Sequence, residues 1–357
     1  MPINENAPLV VVPGAIRFNT DSMKLEYYRG GPVGFGTTTT TGEWVNLTTD
    51  SPDIQTGGAR GVTAGGTGPG GVTSNIQYFN IASTGNTITF GALSAGKSYV
   101  NGCASSTRGL FAGGYLATPV TNVIEYITIS STGNVIDFGD TSQPLWGIAA
   151  SSSSTRGIFA GGTLGPGTIT LGVNNIEYVT IASTGNSIDF GDLTNEPAAG
   201  SAVQSTTRSI ISGGYDDISN AYVNTIQFVT ISTLGNATDF GDLTTTLAAS
   251  GSGSNSTRGI FGGGSAPTAS NVIQYITIGT LGNTIDFGDL TQARAGLAGA
   301  SSPTRVVFNG GENGPSSYNI LDYVTISSLG NAIDFGDNTP YTIYANGGLS
   351  NGHGGLG

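Results

Sequence analysis

Residues 134–140 read NVIDFGD, and the pattern returns as NSIDFGD at 186–192, NATDFGD at 236–242, NTIDFGD at 283–289 and NAIDFGD at 331–337. A weaker copy at 86–92 reads NTITFGA. A second landmark keeps the same beat. Arg108, Arg156, Arg208, Arg258 and Arg305 each follow Thr, and Arg60 follows Ala59 in the weakest copy, at spacings of 48, 48, 52, 50 and 47 residues. The phenylalanines Phe90, Phe138, Phe190, Phe240, Phe287 and Phe335 repeat in step with them. A motif recurring with this regularity belongs to a structural unit, and repeats are the first thing to be read from such a chain.

Composition limits the functions open to it. Asp-Phe-Gly holds magnesium in protein kinases, but that chemistry also needs a phosphate-pairing lysine and a His-Arg-Asp loop. The 357 residues contain one histidine, His353, and two lysines, Lys24 and Lys97, neither after a phosphate-cradling glycine loop. The 59 glycines and 10% charged residues could suggest disorder, but 14 Tyr, 14 Phe and abundant Ile, Val and Thr are strand formers. A formal charge of −12 argues against nucleic acid or an anionic membrane surface as partner. The single cysteine, Cys103, excludes an intrachain disulfide and is expected to be a buried, inert thiol. No basic-then-apolar leader opens the sequence, and no apolar run is long enough for membrane insertion.

Each unit of about fifty residues parses into four strands. GIAASSSST is small and polar, suited to a crowded position near an axis. RGIFAGG is apolar and ends in a Gly-Gly bend. NVIEYITI alternates, and Gly-Asn then suggests a tight hairpin into VIDFGD. By period two, Ile136 and Phe138 share a face while Asp137 points away. No 3.6-residue stripe appears. Four short strands cannot bury two faces alone, but sheets stacked radially can. The expected fold is therefore all-β: a six-bladed propeller of four-stranded blades over residues 52–357. The first unit lacks a good first strand, and the segment after Asp337 supplies a spare copy of one, so this C-terminal strand is expected to close the ring.

The units resemble kelch repeats, through the Gly-Gly after the second strand (Gly113-Gly114), the aromatic of the third (Tyr126) and that of the fourth (Phe138). The resemblance implies a binding scaffold, with Phe in place of the kelch tryptophan. Residues 1–51 resemble an N-terminal β-hairpin module of bacteriophage tail-fibre and other virion proteins, through Gly14, Ile16, Arg17, Asn19, Thr20, Leu25, Glu26, Tyr28, Gly30 and Trp44. The propeller repeats also resemble those in structural proteins of cyanobacterial phages. Together these imply a non-enzymatic virion structural protein of a tailed phage, assembled in the host cytoplasm. It would be attached by its N-terminal module to other virion proteins, present as a homo-oligomer or in multiple copies, and require no cofactor. The alternative is an adhesin for host surface glycans, acting in host attachment.

Candidate chemistry is sparse. The recurrent arginines would pair with the DFGD carboxylates, or form an anion-binding ring, and the acids could in principle hold calcium, although one motif supplies too few oxygens. No metal site is expected. His353, in a glycine-rich tail, is expected at a strand end or in solvent, and no nucleophile–base pair emerges. Any specificity should lie in the variable loops after each Gly-Gly, where Tyr115, Tyr215, Asp216 and Asp217 are the side chains suited to sugar contact.

Overall fold

The computed structural model describes residues 16–19, 24–30, 42–46, 59–116, 119–165 and 171–356. The chain separates into two compact units, Met1–Thr56 and Gly57–Gly357. In the first, strands Ile16–Asn19, Lys24–Gly30 and Gly42–Asn46 form an antiparallel sheet in chain order, with Tyr28 in register with Trp44. Most of the glycine–threonine stretch before Trp44 lies outside the described residues.

The second unit is all-β, a propeller-like succession of four-stranded antiparallel sheets. One sheet shows the plan: Ala149–Ser152, Arg156–Ala160, Asn175–Thr180 and Ile188–Asp192 pair in sequence order. The first strands are short and built of small residues, such as Ala-Ala-Ser-Ser or Gly-Ser-Gly-Ser, because they crowd one another. A Cβ on Gly299 would lie 2.0 Å from the Ser252 carbonyl oxygen of the neighbouring first strand. The second strands, such as RGLFA and RGIFA, are buried beyond their arginine. They end in Gly-Gly with φ of 64° and 115° at Gly113 and Gly114, a bend that a Cβ disfavours.

The apolar cores lie between consecutive sheets. Leu110, Ile124 and Phe138 of one sheet pack with Ile148, Phe159 and Val179 of the next. Phe79 and Ile81, early in this unit, pack with Val307, Leu321 and Phe335, late in it. Gly347–Ser350 pairs antiparallel with Arg60–Ala64, so the sheet containing Arg60–Ala64, Asn75–Asn80 and Ile88–Ala92 takes its first strand from the far end of the unit. No helix among the described residues is long and apolar enough to cross a membrane.

Two local expectations are corrected. The Gly-Asn segment does not make a tight hairpin: seven residues separate Thr128 from Ile136, and the connection reaches across to the preceding sheet. Nor do Ile136 and Phe138 share an environment, since Ile136 is 58% exposed and Phe138 2%. Glu125 pairs with Asp137 but Ile124 with Gly139, so Phe138 is the extra residue of a bulge, which breaks the alternation.

Candidate functional site

The repeated Asp-Phe-Gly-Asp is half of a lock between sheets. Phe138 is buried, with its ring edge-on to Tyr126 and the centroids 6.1 Å apart. Its carbonyl accepts from Gly185 N–H of the next sheet at 2.7 Å, and Asp140 N–H donates to the Asn186 side-chain oxygen at 3.1 Å. A Cβ on Gly139 would lie 2.4 Å from the Gly185 carbonyl oxygen, so the motif's glycine admits the neighbour's backbone. The same pair of bonds joins each successive sheet, and finally Gly85 and Asn86 to Phe335 and Asp337. These bonds satisfy part of each fourth strand's outer edge, which would otherwise be open for pairing with another chain. Phe190, Phe240, Phe287 and Phe335 are buried like Phe138. Asp137 is exposed, and among the described residues no group of three His, Cys, Asp or Glu side chains is placed to hold a metal.

The arginines do not pair with these carboxylates. Arg108 lies opposite Thr128, at one end of the third strand, whereas Asp140 lies opposite Val123 at the other. Instead the guanidinium stacks over its own sheet's Tyr126, 4.4 Å from the ring centroid, and donates to the Ile181 carbonyl of the next sheet at 2.8 Å. Arg156, Arg208 and Arg258 do the same to Ile231, Ile278 and Ile326, and Arg60 reaches Ile129. Arg305 reaches back to Ile81 and Ala82. Each arginine thus commits a donor to a main-chain carbonyl of an adjoining sheet rather than to a DFGD carboxylate.

The opposite ends of the sheets carry the variable loops. Tyr115 and Tyr215, each following a Gly-Gly, pair with Ser98 and Ala198, and Glu312 occupies the equivalent position opposite Ala295. Tyr115 lies half-buried with its ring 6.3 Å from that of Trp146. Tyr215 packs edge-on to Tyr222 at 5.3 Å and donates its hydroxyl to Asn220. Asp216 is not a sugar-facing group: it is buried and accepts from the backbone N–H groups of Glu196 and Ser219 at 2.9 Å. Burial pushes its carboxyl upward, but hydrogen bonds from Ser219, Glu196 and Ile218 outweigh this and hold it below the usual range. Asp217 beside it is half-exposed.

These loops surround a feature that sequence reading missed. Tyr99, Gly147, Ala199, Ala249, Gly296 and Ala345 all have φ between 52° and 69°. Each N–H donates to the carbonyl of the preceding member, and Tyr99 donates to Ala345 at 2.6 Å, so the bonds run in a cycle. Four members are not glycine and accept a backbone region that usually favours it. Tyr99 alone in the cycle carries a large side chain. Its ring lies 4.9 Å from that of Trp146. Burial pushes its hydroxyl up to about 12, with further contributions from Glu312, Tyr344 and Tyr222. A cavity of about 50 Å³ opens at this mouth, and a polar cavity of about 70 Å³ continues below it between the first strands. Asn346 lines both, and neither polar atom of its buried amide has a hydrogen-bond partner.

The other mouth is capped by the tail. Contrary to expectation, His353 is buried. Its Nε2 lies 2.7 Å from the Ala104 carbonyl, and its Nδ1 accepts from Gly355 N–H at 3.1 Å. Burial pulls it down to about 4, against the opposing hydrogen bond to Ala104. The glycine-rich composition is required here: a Cβ on Gly355 would lie 1.8 Å from the Ser152 carbonyl oxygen. Asn351 accepts from Arg60 N–H, as Asn255 does from Arg258, in the place that a serine takes at the other four repeat arginines, such as Ser105 at Arg108. Cys103 is buried between sheets, and burial pushes its thiol up to about 12, with an opposing hydrogen bond from Ser152.

Two buried ion pairs also escaped sequence reading. Lys97 meets Glu125 at 2.6 Å and Arg294 meets Asp322 at 3.1 Å. Alternation in the third strand placed Glu125 on a face, but nothing in the sequence identified its partner from the preceding connection. Comparison of the chain with protein-family models and with curated proteins gives no match.

Proposed function

We propose that residues 57–357 form a closed six-bladed β-propeller serving as a non-enzymatic structural component of a tailed-phage virion, with the N-terminal sheet as its attachment module. The observation that carries the closure is the return of each kind of inter-sheet bond from the last sheet to the first: Arg305 to Ile81, Asp337 to Asn86, and Ala345 to Gly296. A structural role is supported by what the chemically capable residues do. The repeated DFGD is engaged in sheet-to-sheet packing, the arginines in carbonyl binding, His353 in holding the tail, and Cys103 in the core. The resemblance of the N-terminal strands to virion modules supplies the location. Mass spectrometry of purified particles tests it: the protein should be a stoichiometric component, and its absence from particles whose genome carries the gene defeats the reading.

A second reading, compatible with the first, is adhesion to host surface glycans. Tyr115 and Tyr215 favour it, as aromatic side chains held at equivalent positions around one mouth. Adsorption of the purified full chain to host cells is the measurement that separates an adhesin from a pure scaffold.

A further inference from the structure

Six residues occupy equivalent places around the loop-side mouth, each paired with the residue preceding a member of the hydrogen-bonded cycle: Thr67, Tyr115, Thr163, Tyr215, Ser265 and Glu312. Between them stand Tyr99 and Tyr344, themselves in or next to the cycle, and Tyr222, packed on Tyr215. The mouth is thus rich in half-buried tyrosines and carries the half-buried carboxylate of Glu312. It has no available cation among the described residues. Lys97 and Arg294, the bases nearest the cycle in sequence, are neutralised by Glu125 and Asp322. The repeat arginines lie at the other end of the sheets.

Beneath the tyrosines, the unpartnered Asn346 amide lines the cavity of about 50 Å³. A buried amide without partners is costly and calls for a polar group or water to meet it. The cavity is too small for a sugar ring but large enough for a small polar substituent. Aromatic rings offer flat apolar faces with hydroxyl edges, which suit the C–H faces and hydroxyls of a saccharide. The negative, base-free surroundings disfavour an anionic ligand.

We propose that this mouth is a saccharide-binding subsite for uncharged sugars, in which Tyr99, Tyr222 and Tyr344 contact the ring, Glu312 accepts from its hydroxyls, and Asn346 meets a polar substituent entering the cavity. The proposal deepens the adhesin reading and rests on it for biological meaning, but its binding chemistry stands separately.

The test uses the full chain with lactose and cellobiose as neutral probes, 3′-sialyllactose as the anionic probe and choline as a quaternary ammonium, read by saturation-transfer NMR and titration. Tyr99→Ala is a safe variant, because Ala199, Ala249 and Ala345 hold the same backbone conformation in the same cycle. A neutral disaccharide should bind in the millimolar range, 3′-sialyllactose should bind more weakly, and Tyr99→Ala and Glu312→Gln should each weaken binding about tenfold or more. Binding unchanged in both variants, preference for 3′-sialyllactose, binding of choline alone, or no binding of any probe would each overturn the subsite. If host cells adsorb the chain and Tyr99→Ala adsorbs equally, the subsite fails while the adhesin reading survives. If the disaccharides bind and cells do not, the reverse holds.

Discussion

Arg305 donates from Nη1 to the carbonyl of Ile81 at 3.2 Å, across 224 residues of chain, making the contact that Arg108 makes to the Ile181 carbonyl of the adjacent sheet. The guanidinium is fixed on one side by an aromatic ring and on the other by a main-chain oxygen, a geometry that lysine's ammonium does not reproduce. Arg108→Met is expected to destabilise by roughly 1.5–3 kcal/mol, as for a hydrogen bond to a charged group. Asp137→Asn should be neutral, because Asp137 is exposed and Arg108 donates to the Ile181 carbonyl rather than to a carboxylate. Urea titration of both variants checks this. A large loss with Asp137→Asn would restore the ion-pair explanation.

Phe138→Ala should cost about 3–5 kcal/mol, since it removes a buried ring from between two sheets. Denaturant midpoints report it. A chelator should leave the melting temperature unchanged, because the motif recurs for packing rather than for metal; a marked fall on chelation would mean that the exposed acids bind a cation.

Gly139→Ala and Gly185→Ala separate strain from collision. Both glycines have φ near 150°, but an added Cβ at Gly185 meets nothing within 4 Å, whereas at Gly139 it meets the Gly185 carbonyl. Both variants should lose stability, by roughly 1–3 kcal/mol for the backbone strain. Gly139→Ala should lose measurably more. Equal losses would show that the sheets can move apart to make room.

The pH dependence has a defined sign. His353 is held at about 4 in the fold against an ordinary value of 6.5. The unfolded chain therefore binds the extra proton first, and stability falls as pH drops from about 6.5 toward 4, by roughly 3 kcal/mol in all, while being fully present above 6.5. His353→Gln should flatten this slope. Thermal melts between pH 4 and pH 8 decide it, and an unchanged slope in the variant would assign the effect to other groups.

Much of this fold was legible because the units share their landmarks. The beat of Arg and Phe located the sheets, and the spare segment after Asp337 matched the strand Gly347–Ser350 that completes the sheet of Arg60. What stayed hidden depends on relations between units. Gly-Asn was read within its own hairpin, but Gly185 and Asn186 bind the preceding sheet. The cycle through Tyr99 was invisible because Tyr, Gly and Ala share no side-chain signature there; only their φ values agree. For the candidate site, Tyr115 and Tyr215, each after a Gly-Gly, pair with Ser98 and Ala198 on the loop side, whereas Asp216 is occupied in supporting its own loop.

The borrowed strand also sets the order in which the molecule can be finished. A nascent chain emerges from its N-terminal side, so the strand Arg60–Ala64 is made early, yet its partner Gly347–Ser350 is made after every other strand of the unit. Until then one flank of the first sheet stays unpaired; Ile81 gains its partner earlier, when Arg305 is made, and Asn86 when Asp337 is made, while Tyr99 waits for Ala345 just ahead of the final strand. The intermediate sheets can pair during synthesis, but the first sheet waits for its latest-made strand, and a ribosome that stalls before it releases a chain whose earliest sheet is one strand short.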